Sequence, residues 1–124
     1  MVQVASYETY QDGQIIFNEG DSGDWVYTIE SGSVELSKMV GNTKVVVDVL
    51  REDDVFGEMA FIANIPRTAT AKAIGETNLG ILDRTYLDDE FNKLSGSFRM
   101  ILKALVLRMK KTTDTVAEAK TRAC

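Results

Sequence analysis

The chain is predicted to be mainly β with flanking helices: an eight-stranded jelly-roll β-barrel, then a short helix, then a long C-terminal helix. Three observations carry this expectation. Up to Asp83, short runs of alternating apolar and polar residues are separated by turn signals at Gly13, Gly20-Asp21, Ser31-Gly32, Gly41-Asn42 and Gly75. After Arg84 the apolar spacing changes from two residues to three and four. From Phe98 the helical spacing then persists as a heptad seam for about three repeats.

Each element has its own local reason. In Trp25–Glu30 the residues Trp25, Tyr27 and Ile29 share one face, opposite Thr28 and Glu30. Alternation returns in Val34–Lys38 and in Lys44–Leu50, where Val45, Val47 and Val49 fall in register. Gly41-Asn42 between these two runs reads as a hairpin turn. Two further strands, Ala69–Ile74 and Asn78–Asp83, complete a set of eight short strands, which suggests a jelly roll. Thr85 followed by Asp88 resembles a capping box for a short helix with Leu87, Phe91 and Leu94 on one face. Ser95-Gly96-Ser97 ends that helix, and either serine can cap the final one. The expected organisation is one domain over 1–124: a barrel over about 6–83, a short helix over about 85–95 and a C-terminal helix over about 97–121.

Composition removes several classes of function. The 124 residues include no histidine and one cysteine, Cys124. The commonest general base and metal ligand is therefore missing, a structural zinc site cannot be assembled, and no intrachain disulfide is possible. No metal and no catalytic residue is expected, and enzymatic chemistry such as phosphodiester hydrolysis ranks last. No apolar run approaches the ~20 residues of a membrane span, and the single thiol fits a reducing cytoplasm. Charge is uneven: 7 basic and 17 acidic residues precede Phe98, whereas 7 basic and 2 acidic residues follow from it. The acidic body would repel nucleic acid, while the basic final segment is either a solvated face or a helix for a membrane surface or an acidic partner.

The segment Phe56–Ala71, FGEMAFIANIPRTATA, carries the most chemistry. Gly57 opens a run long enough for one helical turn, whose first N–H groups have no helical partner and can point at an anion. Arg67, behind Pro66, is the only basic residue between Arg51 and Lys72, in a stretch that also holds Glu52, Asp53, Asp54 and Glu58. A lone guanidinium among carboxylates suits selection of one phosphate, to which it offers two parallel donors. Glu58 cannot assist phosphate, but it can accept a hydrogen bond from a ribose hydroxyl. These features describe a pocket for a cyclic phosphodiester attached to a sugar, and the reading requires Arg67 to lie inside a cavity.

The blocks Phe56-Gly57-Glu58-Met59-Ala60 and Pro66-Arg67-Thr68-Ala69-Thr70 resemble the phosphate-binding cassette of the cyclic-nucleotide-binding domain family, of the catabolite-activator and kinase-regulatory-subunit type. The likeness extends through GQIIFNEGDSGDWVYTIESGSVEL and ILDRTYL and covers almost the whole chain. It implies a jelly-roll sensor for cyclic AMP or cyclic GMP. Arg67 and the amides of Glu58, Met59 and Ala60 would hold the phosphate, Glu58 the ribose, and Val47, Phe56 and the final helix the base. The stretch LRMKKTTDTV is similar to the long helix of the catabolite activator, which places Arg108, Thr112 and Thr113 at the pocket, with Thr113 where a serine reaches across from the second subunit. Thr68 can bond either an equatorial phosphate oxygen or a guanine amino group, so it leaves the choice of base open; the Thr112-Thr113 match favours cyclic AMP.

In the final helix, Phe98, Leu102, Leu105, Met109, Thr112, Val116 and Ala119 form the heptad seam, and Ile101, Ala104 and Leu107 lie off it. The expected arrangement packs the second set on the barrel and the seam against a second subunit, giving a homodimer. Ligand would then shift the population of helix positions. No helix-turn-helix follows, so DNA binding is not expected of this chain, and no downstream effector can be named. The competing reading is a dimeric scaffold of the same fold that binds no nucleotide.

Overall fold

The computed structural model describes residues 3–122; Cys124 lies outside the described residues. The chain forms β1 (Val4–Tyr10), β2 (Ile15–Phe17), β3 (Tyr27–Val40), β4 (Thr43–Leu50), β5 (Val55–Phe56), α1 (Glu58–Ala63), β6 (Thr70–Leu82), α2 (Arg84–Asn92) and α3 (Gly96–Arg122). The architecture is mainly β with flanking helices. The strands number six among the described residues, not the eight expected, and the sheet does not close into a barrel. Its order is β1-β6-β3-β4, all antiparallel, with β2 also on β6 and β5 also on β3.

Two expected turns are bends inside long strands, which explains the lower count. The register between β3 and β6 shifts at Ile29/Ser31 and again at Ser31/Ser33, so the chain crosses Ser31-Gly32 without leaving the sheet. Gly32 has φ 95°, and a Cβ there would lie 2.6 Å from the carbonyl oxygen of Glu76, so glycine is required on both counts. The buried Thr77 hydroxyl accepts from the Ser33 N–H at 3.3 Å and donates to the Ser33 carbonyl at 3.0 Å. It replaces ladder bonds that the bulge breaks. Gly75 likewise sits within β6, its N–H held by Asp12 Oδ1 at 2.7 Å. The hairpin at Gly41-Asn42 is present, with Val40 paired to Thr43.

The core is gathered between the two long strands. Tyr27, Ile29, Val34, Phe56, Ala71, Leu79 and Ile81 are buried together, with Tyr10, Ile16, Phe17, Leu36 and Leu50 packed against them. Fully burying one such side chain contributes about 1.5–3 kcal/mol. Trp25 departs from the expected face: it lies before β3 begins and is exposed. Val49 departs as well. The register slips between Leu36/Ser37, where Leu36 pairs with Asp48 but Ser37 with Val46, leaving Val47 as the extra residue. Beyond that bulge the faces exchange, so Leu50 turns inward and Val49 outward.

Helices α2 and α3 start where side chains cap them. Asp83, not Thr85, caps α2, its carboxylate accepting from the Tyr86 N–H at 2.8 Å. Asp88 instead pairs with Arg84 one turn back. Ser95 caps α3 through the Phe98 N–H at 3.1 Å. Helix α3 packs on α1, β3 and β4, and the side it buries differs from the expected one. Leu102, Val106, Lys110, Thr113 and Ala117 turn toward the sheet, while Ile101, Ala104 and Leu107 are exposed. The seam residues Phe98, Leu105, Met109, Thr112, Val116 and Ala119 stay exposed; Leu102 alone of that set is partly covered. No described helix is long and apolar enough to cross a membrane.

Candidate functional site

A cavity of about 240 Å³ opens between the sheet, α1 and α3. The bulge at Val47 and the strand β3 form one wall, through Val47 and Leu36. Phe56 and Phe17 form its floor, Phe56 stacking on Tyr27 with ring centroids 5.1 Å apart. The α3 side chains Met109, Lys110 and Thr113 close the opposite side.

Gly57 sets the geometry at the entrance to α1. It has φ 84°, and a Cβ on it would lie 2.7 Å from the Trp25 carbonyl oxygen and 2.8 Å from Arg67 Nη1. Any other residue would be strained and would push the guanidinium aside. As the N-cap it has no side chain with which to satisfy the first amides of the helix, and no side chain caps them. The N–H groups of Glu58, Met59 and Ala60 thus begin the turn at the cavity wall.

Arg67 is pinned from its backbone outward. Its N–H donates to the Asp21 carbonyl at 2.9 Å, and its carbonyl accepts from the Gly20 N–H at 2.8 Å. The side chain is buried, 5 % exposed. Nη1 donates to the Gly57 carbonyl at 3.0 Å and Nη2 to the Trp25 carbonyl at 2.8 Å, while the guanidinium carbon lies 4.1 Å from the Phe17 ring centroid. A guanidinium has five N–H donors, so donors remain beyond those two bonds. Among the described residues no carboxylate forms an ion pair with it, Glu58 included. Burial lowers its pKa, offset in part by Tyr27, Asp24, Glu58 and Asp21. A buried, unpaired cation is unfavourable until an anion joins it.

Glu58, the first residue of α1, is half-buried on the same cavity. Burial raises its carboxyl pKa, against the opposing effects of its own backbone amide and the Arg67 charge. Thr68 lines the cavity next to Arg67, its hydroxyl 3.6 Å from the Met59 sulfur.

Nine of the eleven residues singled out from sequence therefore meet at one cavity: Val47, Phe56, Gly57, Glu58, Met59, Ala60, Arg67, Thr68 and Thr113. Arg108 and Thr112 do not; both are exposed on the outward side of α3. At 3.6 residues per turn, Arg108 falls roughly opposite the buried line through Val106 and Ala117. Thr113, placed by the resemblance where a serine of the second subunit would stand, lines its own chain's cavity, with its hydroxyl donating to the Met109 carbonyl at 2.9 Å. Sequence reasoning missed Lys38, which is 4 % exposed on the cavity wall. The signal was present: Val34, Leu36 and Lys38 share one strand face, so the alternation itself turned a lysine inward. It also missed Phe17 and Lys110.

The family model for the cyclic nucleotide-binding domain matches residues 7–93. The chain belongs to that family. It is 37% identical over 98 residues to a cAMP-dependent protein kinase regulatory subunit from Dictyostelium discoideum, covering 76% of this chain and 29% of the relative. Among solved structures it resembles the cAMP-bound form of the EAL enzyme Bd1971, with a TM-score of 0.82 at 26% identity, over 95% of this chain and 32% of that one. The cGMP-bound form of the same enzyme matches with a TM-score of 0.79 at 28% identity, over 85% of this chain and 28% of that one. The chain thus spans under a third of the length of each.

Proposed function

We propose that this chain is a regulatory sensor that binds a cyclic nucleotide, cyclic AMP in preference to cyclic GMP, and couples binding to the position of α3. The observation that carries the reading is Arg67: a guanidinium buried beside a cavity, with unused donors and no carboxylate partner among the described residues. A cyclic phosphodiester supplies the missing charge. The uncapped amides of Glu58, Met59 and Ala60 add donors to the same phosphate, and Glu58 accepts from the ribose hydroxyl. Val47, Phe56 and Thr113 border the space left for the base.

Preference for cyclic AMP rests on the kinship with kinase regulatory subunits named for it. Thr68 does not oppose cyclic GMP, and the structural neighbour Bd1971 has been solved with either nucleotide. Calorimetry with both ligands decides the order. Arg67→Ala should weaken either by at least about 100-fold, because a buried phosphate loses its charged partner.

The exposed stripe Phe98, Leu105, Met109 and Val116 on α3 supports a homodimer along this helix. Arg108 and Thr112, on the outward side, would reach a ligand only across that interface. The same stripe is what a non-binding dimeric scaffold of this fold would need. Equal affinity of wild type and Arg67→Ala, or no binding by wild type, would favour the scaffold instead.

A further inference from the structure

Lys38 is a buried cation to which the nucleotide reading assigns no task. Its ammonium donates to the carbonyl of Thr68, the residue directly after Arg67. It also lies 2.6 Å from Asp114 Oδ1 on α3 and 3.8 Å from Glu19 Oε2. An ammonium has three donors, and here they face three different parts of the molecule. Those parts are themselves tied together. The Gly20 N–H donates to the Arg67 carbonyl, the Glu19 N–H to the Thr70 hydroxyl at 2.9 Å, and Glu19 Oε1 accepts from the Met39 N–H at 3.0 Å. Asp114 is held from its own helix by Lys110 at 3.0 Å, and Lys110 lines the cavity.

We infer that Lys38 is a positioning residue through which α3 registers the state of the cassette. The inference rests on the cavity being a cyclic-nucleotide site. The Arg67 backbone is held to Gly20 and Asp21, so a phosphate that draws the guanidinium off the Gly57 and Trp25 carbonyls would be felt as a small shift at the next carbonyl, that of Thr68. Lys38 bonds that carbonyl and Asp114 at once, so the shift alters the pair that docks α3. A leucine or methionine at position 38 would fill the wall without the desolvation penalty of a buried ammonium. It would hold α3 by contact alone, with no dependence on Thr68. The dependence needs the ammonium, because a methionine or leucine side chain can donate neither to the Thr68 carbonyl nor to Asp114.

The test uses the full chain with cyclic AMP as the probe and two readouts: affinity by calorimetry, and amide hydrogen exchange across 106–121 of α3. In the wild type, ligand should slow exchange there. Lys38→Met should still bind within about tenfold of wild type, a loss in the usual range of coupling energies, while the ligand-dependent slowing in α3 disappears. Asp114→Asn, an alteration at the more exposed end of the pair, should give the same result. The double variant should be no worse than either single one. Full ligand-dependent slowing in Lys38→Met and Asp114→Asn would overturn the role of Lys38 and leave nucleotide binding standing. Absence of binding by the wild type would remove the functional reading and this inference with it.

Discussion

The two sides of the cavity were built by different rules. On the α1 side, the turn at Gly57 and the helix start are set locally, and Arg67 follows nine residues after Glu58. Gly57 supplies the left-handed turn, the uncapped start of α1 leaves amides at the wall, and backbone bonds to Gly20 and Asp21 fix Arg67. On the α3 side, nothing local decides which residues face the ligand. A helix presents all of its side chains around an axis, and packing against β3, β4 and α1 selects the rotation. The first kind of site can be read from spacing; the second requires knowing what the helix rests on.

Arg67→Ala is the strongest probe of this contrast. It should reduce affinity at least about 100-fold, whereas single changes on α3 should cost far less. An α3 variant with an equal loss would erase the distinction between the two sides. Gly57→Ala comes next. It places a Cβ 2.7 Å from the Trp25 carbonyl oxygen and 2.8 Å from Arg67 Nη1, at φ 84°. Strain of this kind costs about 1–3 kcal/mol, to be measured by chemical denaturation without ligand. Calorimetry should show weaker binding as well, since the guanidinium must move. Normal stability and affinity would mean that the turn can relax without a glycine.

Among smaller effects, α3 offers an internal comparison of its own. Val106 is buried on the sheet side, and Val106→Ala should destabilise the free protein by about 1–2 kcal/mol. Arg108→Ala and Thr112→Ala, on the outward side, should change monomer stability by less than about 0.5 kcal/mol. If the helix dimerises along its exposed stripe, those two variants should weaken binding above the dimer dissociation constant and not below it. Light scattering run beside the titration separates the regimes. Loss of affinity from Thr112→Ala in a proven monomer would mean that α3 rotates when ligand binds.

The same division explains what could be read from the residues beforehand. The mainly β character, the hairpin at Gly41-Asn42 and the meeting of 56–60 with Arg67 and Thr68 at one cavity were legible because alternation and turn chemistry are local. The strand count was not: Ser31-Gly32 and Gly75 look like any turn, and it is Thr77, 44 residues beyond Ser33, together with Asn78 on Ser31, that keeps the chain in the sheet through the first bend. The face of β4 was misread at Val49 because a one-residue bulge reverses alternation without leaving a mark in composition. Arg108, Thr112 and Thr113 all came by resemblance to a relative's helix, and the packing of α3 on the sheet brings only Thr113 of the three to the cavity. Lys38 was legible by alternation, yet a lysine is an unexpected occupant of an inward face.

The smallest effect concerns Glu58, and it tests whether the cassette side is tuned for ligand at some cost to the free fold. Burial raises the Glu58 pKa above its ordinary value, so the folded state disfavours the carboxylate. A group with a raised folded pKa contributes stability that is present below its unfolded pKa and lost as pH rises through the folded one. Glu58→Gln has no such loss. The variant should therefore gain in Tm relative to wild type, by no more than a few degrees, as free protein is compared at pH 4 and then at pH 7. With saturating cyclic AMP the order at pH 7 should reverse, because the ionised carboxylate is the better acceptor for a ribose hydroxyl and ligand binding adds to the stability of whichever protein holds it more tightly. A variant that stays ahead of wild type under saturation would mean that Glu58 makes no net contribution to holding the sugar. Retention of the nucleotide would then rest on the phosphate end, on Arg67 and the α1 amides, with the sugar contributing nothing through Glu58.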